Sequence, residues 1–259
     1  TWSLTPTGTL PEGLQSFTAT ATDAAGNISN SSANFTLTVD STPLTAPVVT
    51  DIVDDVSPVT TSLTSGSYTN DTTPTFNGTG KVGSTVTIYD TDGTTALGST
   101  TVGAGGTWTI APTLTEGNHD LVIKATDPTG NSVTAAAPIT LHVDTLPPPP
   151  PVVTSPTDQT GTLVSGTAEP GSTVIIKNSG GTVLGTAVAD PGTGAFTVTL
   201  SPAQTTGLQL TAIAQDLAGN QSPGTPFSAV TSNALQPPTI EVFDDVTPNT
   251  SNLTSGQST

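Results

Sequence analysis

One seven-residue pattern recurs along this chain. Ala21-Thr22-Asp23-Ala24-Ala25-Gly26-Asn27 is matched by Ala125-Thr126-Asp127-Pro128-Thr129-Gly130-Asn131 and again by Ala214-Gln215-Asp216-Leu217-Ala218-Gly219-Asn220. Around the first two copies the likeness widens, so that 2–50 reads like 108–154 and Val39-Asp40 parallels Val143-Asp144. In the third copy Ala195-Phe196-Thr197-Val198 takes the place of Thr107-Trp108-Thr109-Ile110, and the copy is shorter. A further echo begins at Pro237, where Glu241-Val242-Phe243-Asp244-Asp245-Val246 repeats the character of Asp51-Ile52-Val53-Asp54-Asp55-Val56. Self-similarity of this kind is the mark of a tandem array, in which each copy is one structural unit. The expected division is 1–46, the back part of a repeat; 47–148, a complete repeat; 149–236, a shorter complete repeat; and 237–259, the opening of another.

Within the second copy the runs 47–53, Thr75–Thr79, Thr85–Tyr89, 96–102, Thr107–Ile110, 120–126 and 132–143 alternate apolar with polar residues, the period of a half-buried strand. Seven short strands punctuated by Gly and Pro suit an all-β sandwich. Alternation puts Leu121, Ile123 and Ala125 on one inward face and Val86 with Ile88 on another, and Trp108 and Ile110 supply the bulkiest side chains. Phe17, Ala19 and Ala21 repeat the pattern in the first copy. With 32% apolar residues, two Trp, two Tyr and six Phe in 259 residues, several thin cores are affordable and one large core is not. The Pro-bearing links 41–47 and 144–151 are short, and Pro makes such links extended and semi-rigid, which predicts an elongated array.

Three Lys, no Arg and twenty acidic residues give a net charge of -17, which argues against nucleic acid as a partner and favours cations. Without Cys there is neither a disulfide framework nor thiolate chemistry. No run approaches the roughly 20 apolar residues of a membrane span, and Thr1-Trp2-Ser3 does not read as a signal segment, so the chain reads as an excerpt. A Gly-x-Ser-x-Gly elbow in a strand-to-helix setting is missing, and acids on loops lack an apolar pocket to shift them toward catalysis; the chain is expected not to be an enzyme.

The Asp-x-x-Gly-Asn pattern has two readings. As a turn, the Asp accepts backbone N–H groups and Gly-Asn tolerates positive φ. As a metal site, its oxygens join a carboxylate from the preceding linker: Asp127 and Asn131 with Asp40, and Asp216 and Asn220 with Asp144, with Asp23 the matching residue of the first copy. Calcium takes six to eight oxygens and accepts such a set.

A second group of acids belongs to one pole of the second copy. Asp54, Asp55 and Asp71 follow the first strand, and Asp90 and Asp92 end the third in Tyr89-Asp90-Thr91-Asp92-Gly93. The third copy lacks most of this insert and has Asn178 and Ser179 at the second place. A solvated acidic face is one explanation. Calcium is the other, because five neighbouring acids repel, and an ion bound only by the folded state adds about 2.7 kcal/mol at a hundredfold excess over Kd. The loop is not an EF-hand, for the spacing and terminal Glu are lacking. His119 and His142 stand apart and are expected on the surface at strand edges, not as zinc ligands.

The succession Asp54-Asp55-Val56, Asn70-Asp71-Thr72-Thr73-Pro74-Thr75, Gly83-Ser84-Thr85-Val86, Gly106-Thr107-Trp108, Gly117-Asn118-His119, Ala125-Thr126-Asp127, Gly130-Asn131 and Val143-Asp144 resembles the bacterial Ig-like repeats of large, type I-secreted biofilm adhesins. The likeness runs the length of the chain and lies in the combined order of motifs. It implies tandem Ig-like sandwiches, extracellular and displayed on the bacterial surface, that space a distal binding region, with calcium at domain ends stiffening the rod. Carried over by position, it favours Asp54, Asp55, Asp71, Asp127 and Asp144, with the matching Asp23, Asp40, Asp216, Asp244 and Asp245. The partners implied are adjacent repeats, a host surface and neighbouring adhesin molecules. Two other readings stand beside the spacer: repeats that themselves bind glycans or one another, with Tyr68, Tyr89 or Trp2 as stacking residues, and an accessory module of an extracellular polysaccharide-degrading enzyme.

Overall fold

The computed structural model describes residues 3–57, 60–155, 157–158, 160–231, 242–244 and 251–253, and every described element is a β-strand. The chain divides into two compact units: Thr1–Pro147 together with Asp216–Asn220, and Pro148–Gln215 together with Gln221–Thr259.

The first unit opens with β1 (Gly13–Phe17) and β2 (Phe35–Val39), an antiparallel pair with Phe17 opposite Phe35. Phe17 and Ala19 are half-buried and Ala21 is exposed; with Leu4, Leu10, Phe35 and Leu37 they line an open apolar depression. The sandwich that follows has a three-stranded sheet, β3 (Val48–Val53), β5 (Thr75–Thr79) and β8 (Thr107–Ile110), in the order β3-β5-β8. Its larger sheet has the order β4-β11-β9-β6-β7, built from β4 (Ser67–Thr69), β6 (Thr85–Tyr89), β7 (Ala96–Thr101), β9 (Gly117–Thr126) and β11 (Ile139–Val143), and β10 (Ser132–Thr134) also pairs with β9.

The core between the sheets forms where period-2 alternation places it: Val86, Ile88, Leu121, Ile123 and Ala125 are fully buried, and Trp108 and Ile110 nearly so. Trp108 Nε1 donates to the Thr79 carbonyl at 3.0 Å, which satisfies the one polar atom of the ring. Facing it is Gly78, where any side chain would collide with the indole and the Val48 carbonyl. Three details differ from expectation. The run 132–143 is interrupted between β10 and β11, next to Pro138, which has no N–H to offer a ladder. β4 is a strand, pairing parallel with β11. β9 begins at Gly117, so His119 falls in register with Leu121 and points inward, 4% exposed instead of lying on the surface.

The second unit repeats the design with fewer residues. One sheet is β12 (Val152–Ser155), β13 (Leu163–Thr167) and β16 (Ala195–Thr199); the other has β15 (Val183–Val188), β14 (Thr173–Asn178), β17 (Gln209–Gln215) and β18 (Thr225–Ser228) in that spatial order. Val164, Val174, Ile176, Val198, Leu210 and Ala212 form its core, and Phe196 lies across from Gly166 as Trp108 does from Gly78. The expected opening of a further repeat falls largely outside the described residues; within it β19 (Val242–Asp244) pairs with β20 (Ser251–Leu253). Asp245 and Trp2 lie outside the described residues, and of Asp244 only its place in β19 is described.

Candidate functional site

Loop chemistry places the acids of the first unit in three separate settings. At the pole beyond β3 and β4, Asp54 and Asp71 are 3% and 1% exposed and are linked through Thr69, itself fully buried. The Thr69 hydroxyl donates to Asp54 Oδ2 at 2.7 Å and accepts the Asp71 N–H at 3.0 Å. Asp54 Oδ1 accepts from the Val56 N–H, and Asp71 Oδ1 from the Thr73 N–H and hydroxyl. That leaves Asp71 Oδ2, and beside it in sequence Asn70 Oδ1, buried with no hydrogen-bond partner. Asn70 Nδ2 reaches the Ser57 carbonyl at 3.4 Å. Asp55, next to Asp54, is exposed.

Two buried carboxylates without a cation carry a large desolvation cost. Among the described residues no ion pair reaches either Asp54 or Asp71. A buried carboxylate oxygen and the amide oxygen of the preceding residue, both without a hydrogen-bond partner, are of the two kinds that a hard cation accepts. Asp54, Asp71 and Asn70 are the residues that would hold calcium, and its charge would offset the two carboxylates. No group of three or more His, Cys, Asp or Glu side chains converges among the described residues, so a cation here would draw on amide and carbonyl oxygens as well.

Asp90 and Asp92 stand in a different setting from Asp54 and Asp71. Asp92 caps its own turn, accepting from the Thr94 and Thr95 N–H groups at 2.8 Å and the Thr95 hydroxyl at 2.6 Å. The Thr95 hydroxyl chiefly, with these N–H groups, holds its carboxyl well below the usual carboxylate range. Asp90 meets buried His119, whose Nδ1 lies 3.0 Å from Asp90 Oδ2 while Nε2 lies 2.8 Å from the Thr115 carbonyl. Burial pushes the Asp90 carboxyl up, but the Thr91 N–H and the His119 ring outweigh it, and the net shift is downward. In the second unit Asn178 Oδ1 closes the corresponding turn on the Gly180 and Thr182 N–H groups.

The Asp-x-x-Gly-Asn segments form one turn three times over. In each, the Asp Oδ1 accepts the Asn N–H at 2.9 Å and the Asn amide donates back to the Asp Oδ2: Asn27 to Asp23, Asn131 to Asp127, Asn220 to Asp216. Gly26, Gly130 and Gly219 have φ of 90°, 97° and 96°, which favours Gly. The Thr129 hydroxyl, 2.7 Å from Asp127 Oδ1, leads the contacts that hold the Asp127 carboxyl at about 2. The Asn27 side chain leads in lowering Asp23.

The last two Asn residues do more. Asn131 Nδ2 also donates to the Asp40 carbonyl at 2.9 Å, and Asn220 Nδ2, in the turn that groups with the first unit, donates to the Asp144 carbonyl at 2.7 Å. The linker acids turn their own chain: Asp40 Oδ1 accepts the Thr42 N–H and Asp144 Oδ1 the Leu146 N–H, both at 3.0 Å. So Asp40 meets Asn131, and Asp144 meets Asn220, through linker carbonyl groups.

Several contributors carry no obvious motif. Glu116 accepts from the Thr145 N–H and hydroxyl, and Glu12 in the same way from Ser41, which anchors each linker to its own repeat. Comparing Glu12 with Glu116 across the copies is the signal that could have found them. In the second unit Asp158 accepts the Thr162 and Leu163 N–H groups at 2.7 and 3.0 Å and the Thr160 hydroxyl at 2.6 Å, filling with hydrogen bonds the loop that follows β12.

Among curated proteins nothing matches. Similar solved structures include a domain of a biofilm-associated protein (22% identity, TM-score 0.29, covering 68% of this chain and 30% of that one). A calcium-stabilised adhesin with which an Antarctic bacterium binds ice is 24% identical (TM-score 0.33, covering 84% and 56%). Fibronectin(III)-like modules of Clostridium thermocellum CbhA are 19% identical (TM-score 0.42, covering 70% and 90%). The chain thus spans under a third of the biofilm-associated chain it matches. The profile described as bacterial Ig domain matches residues 148–231, and that described as bacterial Ig-like domain matches 1–41 and 46–145. With matched residues covering both sandwiches, this chain belongs to the bacterial Ig-like domain family.

Proposed function

We propose that this chain is a spacer segment of a bacterial cell-surface adhesin, outside the cell, whose repeats, divided as the sequence divides them, hold a distal binding region away from the surface. Calcium at the pole of Asp54, Asp71 and Asn70 stiffens it. The observation that carries the calcium reading is the orphaned Asp71 Oδ2, in a buried residue linked to buried Asp54 through Thr69, with no cation paired to either among the described residues. Lashings such as Asn131 to the Asp40 carbonyl suit a spacer, because they restrict the chain where a repeat hands over to the next. The family membership supports the same role.

The test is a calcium titration of the whole fragment by calorimetry and thermal unfolding, with X-ray scattering in calcium and in chelator. Calcium is expected to raise the melting temperature of the first unit, and Asp54→Asn with Asp71→Asn to abolish that rise. If calcium leaves melting and scattering unchanged, the stiffening role is wrong.

A second reading, glycan capture, has one observation in its favour: the exposed Tyr68 ring stacks on His142 with centroids 4.6 Å apart. Paired flat rings at a surface suit a sugar face. Retention of Tyr68→Ala on immobilised glycans, equal to that of the unaltered fragment, would remove this reading.

A further inference from the structure

Lys81 occupies the turn that leads into β6, where its carbonyl accepts the Ser84 N–H at 3.1 Å and the Ser84 hydroxyl at 2.7 Å. Its ammonium lies 3.6 Å from Asp40 Oδ2 and 3.8 Å from Asp127 Oδ2. Those two acids, one from the linker and one from the Asp-x-x-Gly-Asn turn, are among the residues that the family resemblance implies as calcium ligands. The carboxylate oxygens of this pair are already engaged. Asp127 Oδ1 accepts from Thr129 and Asn131, Asp127 Oδ2 accepts from the Asn131 amide and is ion-paired with the ammonium, and Asp40 Oδ1 accepts from the Thr42 N–H. The Asp127 side chain is fully buried, so its charge needs a counter-charge close by, and Lys81 supplies one. An ammonium and a divalent ion cannot share the space between the same two oxygens.

We propose that Lys81 is a built-in cation that closes the Asp40–Asp127 linker end without metal, so that calcium is confined to other sites in the first unit. This inference stands whether or not Asp54 and Asp71 bind calcium. A covalently attached cation is never diluted away, and this linker end stays closed in a chelating medium. The chain itself shows that the position is variable. In the second unit the same turn, with the Ser172 hydroxyl donating to the residue-169 carbonyl at 2.7 Å, carries Glu169 where the first unit carries Lys81.

The test counts calcium ions bound per chain by equilibrium dialysis for the unaltered fragment, Asp127→Asn, Lys81→Glu and the double variant, each checked for folding by circular dichroism. Asp127→Asn is expected to leave the count unchanged, Lys81→Glu to raise it by one, and the double variant to lose that ion again. A count that drops in Asp127→Asn alone, or that stays level in folded Lys81→Glu, overturns the proposal. If Lys81→Glu fails to fold, Lys81→Gln takes its place in hydrogen exchange with chelator present. Protection of the Ser41, Thr42 and Leu44 amides is expected to fall about fivefold relative to the unaltered chain, the scale of one partly exposed ion pair. Equal protection overturns the proposal in that arm. Because each count is compared with that of the unaltered chain, a calcium-free pole at Asp54 and Asp71 would show as a starting count and would not be mistaken for failure here.

Discussion

Gly78 sits directly opposite Trp108 across β5 and β8, so close that a Cβ on Gly78 would stand 2.3 Å from Trp108 Cζ2 and 2.3 Å from the Val48 carbonyl oxygen. Neither neighbour is the loose end of a flexible chain: the indole is tied to Thr79, and the carbonyl is backbone. Gly78→Ala is therefore expected to destabilise the first unit by about 3 kcal/mol, toward the upper end for overpacking. Urea unfolding followed by Trp108 fluorescence measures it. The same substitution at Gly166, where Phe196 and the Val152 carbonyl crowd the site, should do likewise in the second unit.

His119 bridges Asp90 and the Thr115 carbonyl from a buried position. Replacing it with Leu leaves an apolar side chain on the inward face, removes the ring's contact with Asp90, which keeps Thr91, and strips the Thr115 carbonyl of the ring nitrogen. The expected cost is about 1–3 kcal/mol, read as a shift of the urea midpoint with an unchanged slope.

Asn131→Ala removes the amide that ties the Asp127 turn to the Asp40 carbonyl. A loss of about 1–2 kcal/mol is expected, together with faster hydrogen exchange at the Ser41, Thr42 and Leu44 amides. The amides of β6 and β9 should keep their protection. Uniform loss of protection across the unit would show that the amide serves the whole sandwich and not the linker.

Acid should expose the Asp127 turn. Its carboxyl is lowered from 3.8 to about 2 by the Thr129 hydroxyl and neighbouring donors, so its contribution is present above about 4 and is lost as pH falls through about 2. Melting temperature should decline across that window, and Asp127→Asn should flatten the decline while starting from a lower melting temperature at pH 5 to 7, where the contribution is present in the unaltered chain. Asp92, Asp158 and Asp190 are lowered as well, each led by a threonine hydroxyl, so a residual slope is expected in the variant.

Much of the sandwich is legible in the sequence because it rests on local alternation. Val86 and Ile88, and Leu121, Ile123 and Ala125, declare their face within a few residues, and the structure buries all five. β4 is not legible in this way: Ser-Tyr-Thr shows no apolar alternation, and its partner β11 is distant in sequence. His119 was within reach, being two residues before Leu121, but only if the strand is taken to begin at Gly117. The acidic pole divides because carboxylates on loops answer to the nearest donors. Asp92 is taken by Thr95 and Asp90 by His119, Asp55 is exposed, and Asp54 and Asp71 are linked through Thr69. Lys81 is a single residue without a motif, and its meaning emerges only when the fold brings Asp40 and Asp127 to it.

Asp158 gives the two sandwiches different temperaments. Where the first leaves a carboxylate oxygen of Asp71 unanswered just after β4, the second has its own threonines answer Asp158 in the loop after β12. Under the calcium reading, one module is then sensitive to the mineral content of its surroundings and the other indifferent. In a scanning calorimeter, adding the ion would move one endotherm and leave its companion where it stood.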